Sequence, residues 1–181
     1  MKVFSAICAS ALALAGAGTA NAATTIYAPA GTYVFQGPVV VKKGLTLNCT
    51  LKLTVVIPEA MPDTHTPPVP AGPASHGHTA TVTPQLSAPS NILCPTVTFS
   101  STPYPATYNG TNLTLTGVVV NTITPGGCSG SISAVWGGGT TPRTIAVNTT
   151  LPGGGTSAPC EINGTLSQVS GPAPLNITYY P

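Results

Sequence analysis

An all-β fold, an antiparallel β-sandwich of eight or nine short strands with a Pro-rich inserted loop, follows from three observations on this 181-residue chain. Runs rich in Val, Ile, Thr and Tyr recur along it, strong turn sequences separate those runs, and no helical period is sustained after Ala22. The turn signals are Asn109-Gly110, Pro125-Gly126-Gly127, Gly137-Gly138-Gly139, the run 152–155 and Asn163-Gly164.

The first 22 residues precede the fold. Lys2 supplies a positive start, an Ala-rich apolar stretch follows, and Ala20-Asn21-Ala22 offers the small residues a signal peptidase needs, so cleavage is expected between Ala22 and Ala23. The apolar stretch is shorter than a membrane span requires, and no later run is long and apolar enough, so no membrane span is expected. Residues 23–181 then form a single secreted domain, since that length suits one core.

Strands are expected over 32–35, 45–57, 79–83, 96–100, 111–120, 129–136, 144–149, 161–169 and 175–180. In the fifth, Leu113, Leu115 and Gly117 share one face and Thr114 and Thr116 the other. The eighth alternates less regularly, which predicts a bulge near Asn163-Gly164. Between the second and third lies the segment 58–78, holding Pro58, Pro62, Pro67, Pro68, Pro70 and Pro73. It reads as an exposed loop inserted into the sandwich.

Cys49, Cys94, Cys128 and Cys160 remain after processing, an even number in an exported chain, and so read as two disulfides. Three connectivities are open. Cys49 with Cys94 and Cys128 with Cys160 is favoured, because each pair brackets neighbouring strands. No two cysteines are close enough for a zinc knuckle.

Charged residues make up 4% of the chain, against roughly a quarter in an ordinary domain. Such a surface has little repulsion between copies and suits interfaces, matrices and self-association. The basic residues after Ala22 are Lys42, Lys43, Lys52 and Arg143, too few to neutralise a row of phosphates, so nucleic acid is excluded as a partner. The carboxylates are Glu59, Asp63 and Glu161, of which the first two share the inserted loop. No convincing acid/base pair, nucleophile elbow or phosphate loop is present, and an enzyme is not expected. His65, His76 and His78 lie in the same loop. A metal-binding role for them is an alternative reading, weakened by the lack of a rigid support, and no cofactor is expected. Trp136, before three glycines, suits a core plug better than an exposed contact. Tyr179-Tyr180 at the end of an alternating strand suggests the first alternative, a pilin-like or fibre-forming adhesin subunit, ahead of the metal-binding loop.

The run 44–55 (GLTLNCTLKLTV), the run 108–120 (YNGTNLTLTGVVV), the run 126–136 (GGCSGSISAVW) and the run 159–167 (PCEINGTLS) together resemble the small secreted protein activators of alkane oxidation, the PraA/PraB type. The Pro/His-rich loop departs from that pattern. The resemblance implies an exported, non-enzymatic protein that promotes growth on hydrocarbons by dispersing or contacting them, with a biofilm-adhesin role in some relatives. Its implied partners are hydrocarbon and cell-surface or matrix components. No catalytic residue carries over.

Overall fold

A computed structural model describes residues 23–59, 77–88 and 91–181 of the chain. Eleven strands run through these residues: β1 Thr24–Ala28, β2 Gly31–Lys43, β3 Leu45–Ile57, β4 Ala80–Ser87, β5 Thr98–Ser100, β6 Tyr104–Tyr108, β7 Asn112–Asn121, β8 Cys128–Gly137, β9 Thr144–Leu151, β10 Cys160–Ser170 and β11 Asn176–Tyr180. The one helical element among them is a 3-10 turn, Cys94–Thr96. The expected leader 1–22, most of the expected loop 58–78, and with them Asp63, His65 and His76 lie outside the described residues.

The all-β expectation holds, but the architecture is a closed barrel and not a sandwich. Eight strands pair in the ring β7-β6-β4-β3-β2-β10-β9-β8, the β7–β8 pairing closes it, and β5 lies beside β6 on the remaining length of β7. Every pairing is antiparallel. Alternation along a strand tells which side chains point inward and is the same for a sandwich and a barrel. Closure depends on how sharply the sheet curls.

Two devices let it curl. The first lies on the β2–β10 seam, where a Cβ on Gly37 would sit 2.2 Å from the Thr165 carbonyl oxygen and one on Gly164 would sit 2.4 Å from that of Pro38. Glycine is needed here because the two backbones approach so closely. Asn163-Gly164 is therefore neither a turn nor a bulge: both residues are in regular register with β2 and β9. Gly37→Ala is expected to lower stability by about 1–3 kcal/mol through this forced shift, read as an earlier midpoint in denaturant unfolding.

The second device is a bulge in β7, where the register with β8 slips between Leu115 and Val118. Gly117 sits in it at φ +69°, with open space around its Cβ position. The slip moves the inward face from odd to even residues, so Leu113 and Leu115 line the interior above it and Val118 and Val120 are buried below. A strict period of two through 111–120 misses that change.

The barrel has two distinct ends. At the floor, the β2–β3 hairpin turns at Gly44, and Cys128 and Cys160 join β8 to β10. Cys49 of β3 is tied to Cys94 of the 3-10 turn in the same half. Lys43 is the one charged side chain buried among the described residues. Its Nζ donates to the carbonyls of Pro125 (3.0 Å) and Gly127 (2.8 Å), which holds the β7–β8 turn under the hairpin. A buried ammonium is tolerable there because the carbonyls replace its lost water.

At the other end, β1 and β11 form a separate two-stranded ribbon in register from Thr24↔Tyr180 to Ala28↔Asn176. Both β1 and β6 escaped the sequence reading: each is five residues long and too short to show a period.

Candidate functional site

Beneath the ribbon, the upper half of the barrel encloses an apolar cavity of about 40 Å³. Phe35 of β2, Leu53 and Val55 of β3, Leu115 of β7 and Ile132 of β8 are among its walls, and Tyr27, Leu175 and Ile177 roof it. No polar atom contributes to its surface. Trp136 stands half-buried at the rim, its ring edge-on to Phe35 with centroids 6.0 Å apart. It is a core plug and a cavity wall together.

The ribbon is fastened by polar contacts at its margins. Tyr27 exchanges two backbone hydrogen bonds with Gly77, each 2.9 Å. Thr25 Oγ1 donates to the Tyr108 carbonyl (3.1 Å) and Tyr27 Oη to that of Ala106 (3.3 Å). Arg143, in the turn before β9, donates through Nε to the Leu175 carbonyl (3.1 Å) and through Nη2 to Asn176 Oδ1 (2.6 Å), while Nη1 bonds the Gly138 carbonyl. The guanidinium has no carboxylate partner among the described residues and serves as a clamp between the barrel rim and the start of β11. Neither disulfide touches the ribbon.

Burial pushes the Tyr27 phenol up to about 12 from its ordinary 10, because the phenolate would lose its water; Tyr33 moves in the same direction for the same reason. A raised phenol means that the folded state holds its proton more tightly than the unfolded chain. The Tyr27 contribution to stability is therefore fully present below pH 10 and drains away as the pH rises from 10 to about 12. Unfolding midpoints measured across that window are expected to fall, and the fall to shrink in Tyr27→Phe.

The residues singled out from the sequence do not converge. Glu59 lies just beyond β3 at the ribbon end, whereas Glu161 is at the floor, 3.6 Å from Lys42 in an exposed ion pair worth little to stability. His78 places Nδ1 3.3 Å from the Thr25 carbonyl, at the margin of β1. Among the described residues no three His, Cys, Asp or Glu side chains gather as a metal site. Ala23 is exposed at the start of the described chain. The cavity itself escaped the sequence reading, because its walls come from nine strands and look like any other inward-facing residues.

Outside, the barrel carries Thr, Asn and Ser between a few exposed large apolar residues: Val40, Leu45, Val56, Ile92, Ile123, Val135 and Val169. Leu45 and Ile123 line one shallow depression at the floor with Val41, Val97 and Lys43. Ile92, 87% exposed, precedes the 3-10 turn that Cys94 ties to β3. Polar outside and apolar inside is the reverse of the arrangement that suits a barrel to lipid. No helix among the described residues is long and apolar enough to cross a membrane.

Fold and site together define a small, disulfide-braced, closed β-barrel with an apolar interior and a surface nearly free of charge. More particularly, the chain belongs to the alkane oxidation protein activator family of PraA/PraB-like proteins, which matches residues 1–176. No curated protein and no solved structure matches the chain. The family is named for activation of alkane oxidation and not for a catalytic step.

Proposed function

We propose that the chain is exported, cleaved between Ala22 and Ala23, and promotes alkane utilisation without catalysing a reaction, by adsorbing at the boundary between hydrocarbon and water. The observation that carries this is the exposure of Leu45 and Ile123 at the floor of the barrel, and of Ile92 before the 3-10 turn, on a chain with 4% charge. Exposed apolar side chains gain free energy at an oil surface, and a rigid cystine-braced base keeps them presented without unfolding the core. The two disulfides suit an oxidising compartment.

Purified protein is expected to lower the tension of an alkane–water interface and to stabilise alkane emulsions as a monomer. The triple variant Leu45→Ser, Ile92→Ser, Ile123→Ser is expected to lose most of that effect with its thermal midpoint retained. Emulsions unchanged by the native protein would overturn the reading. A second reading, a fibre-forming or adhesive subunit of the cell surface or matrix, is favoured by one feature. Among the described residues β11 pairs only with β1, which leaves its outer edge free to take a strand from another copy. Ordered fibres in sedimentation, with no effect on emulsions, would select it.

A further inference from the structure

We propose that the upper half of the barrel is a binding chamber for one hydrocarbon chain, admitted when the β1–β11 ribbon lifts from the rim. The choice of an alkane as occupant rests on the preceding function; the chamber rests on the geometry alone.

Three features point the same way. First, no polar atom is exposed to the closed gap, so an alcohol, an aldehyde or a carboxylate drawn inside would lose its hydration with nothing to replace it. The chamber therefore favours a chain without a head group over a fatty acid. Second, a gap lined this way stays dry, and dry apolar gaps take up apolar guests; a cavity of about 150 Å³ accepts benzene. The closed chamber, at about 40 Å³, is too small for such a guest. Third, the side that must give way is the one built to do so. Tyr27, Leu175 and Ile177 fill the roof, and moving the ribbon vacates the space of all three.

The ribbon is also a sheet apart from the ring: among the described residues no strand of the eight pairs with it, and side-chain bonds and the Tyr27–Gly77 bridge fasten it instead. Its strands are the two extremes of the described fold, β1 and β11, and pair with each other over five residues. By contrast β2 and β3 pair over thirteen. A two-stranded element outside the ring's ladder opens at lower free energy than the ring it covers. The floor, with Lys43 and the disulfides, stays shut, so the ligand enters and leaves at one end.

The test uses the processed, disulfide-intact protein and n-octane. Native protein equilibrated with octane vapour is expected to retain about one octane per chain, by extraction and gas chromatography. Methyl resonances of Leu115, Ile132, Ile145 and Ile177 are expected to shift, with octanoate at least tenfold weaker. Ala134→Val adds bulk to the chamber wall and is expected to cut octane uptake at least tenfold; Ala106→Val does the same from β6 should the first variant fold poorly. Both leave the outer surface unchanged, so their effect on interfacial tension should equal that of the native protein. Octane uptake that is absent, or indifferent to both fillings, would overturn the chamber while leaving the surface reading standing. Uptake with no emulsifying effect would support the chamber and remove the surface reading. Stronger binding of octanoate than of octane would overturn the headless ligand.

Discussion

Replacing all four cysteines by serine is expected to remove about 4 kcal/mol of stability for each bridge in the chain-entropy account. The closed loops span 45 residues for Cys49–Cys94 and 32 for Cys128–Cys160, long enough for each cross-link to restrict the unfolded chain substantially. The combined loss approaches the whole stability of an ordinary domain. The quadruple variant should therefore be largely unfolded in buffer, and each double variant folded with a clearly lower denaturation midpoint. Cys128→Ser with Cys160→Ser should loosen the floor first, which hydrogen exchange at the ends of β8 and β10 would reveal. A quadruple variant that unfolds within a few degrees of the native protein would show that Lys43 and the closed ring suffice to hold the floor.

Phe35→Ala is expected to cost about 3–5 kcal/mol. Phe35 is fully buried, packs edge-on against Trp136, and faces the existing cavity, so truncation enlarges a void where little can collapse into it. The enlarged space should accept benzene, and benzene should raise the thermal midpoint of Phe35→Ala by more than that of the native protein, since a ligand bound only by the folded state stabilises it by mass action. Calorimetry in benzene-saturated buffer tests this. A small loss of stability with no benzene effect would mean that Trp136 and the ribbon had moved in to fill the space.

Several features of this molecule were legible in the residues. Alternation put Leu113 and Leu115 on one face of β7, the face that lines the cavity, the even cysteine number signalled two bridges, and Asn109-Gly110 is a true turn. There the Asn109 side chain accepts from the backbone N–H groups of Thr111 and Asn112, and Gly110 takes φ +90°. What could not be read was the global curl. Gly37-Pro38 looks like a break, so β2 was expected to stop at Phe35, yet the strand runs on to Lys43, with Pro38 in register opposite Thr50. Asn163-Gly164 carries a turn's composition while serving a close crossing of two backbones. Local chemistry proposes a glycine's use, and the neighbouring strand decides it. The candidate site was invisible for a related reason: Phe35, Leu115, Ile132 and Ile177 are ordinary core residues until closure of the ring leaves a gap among them.

The pairing of Thr24 with Tyr180 carries a consequence for how the protein is made. The first strand of the described fold cannot find its partner until β11 has been delivered, a contact between the two extremes of that fold and so a slow one to form. Until that pairing forms the vessel stands uncapped, its greasy lining open to whatever surrounds it. The moment of greatest exposure to oil, or to a neighbouring copy's strand, is thus the one before β11 arrives.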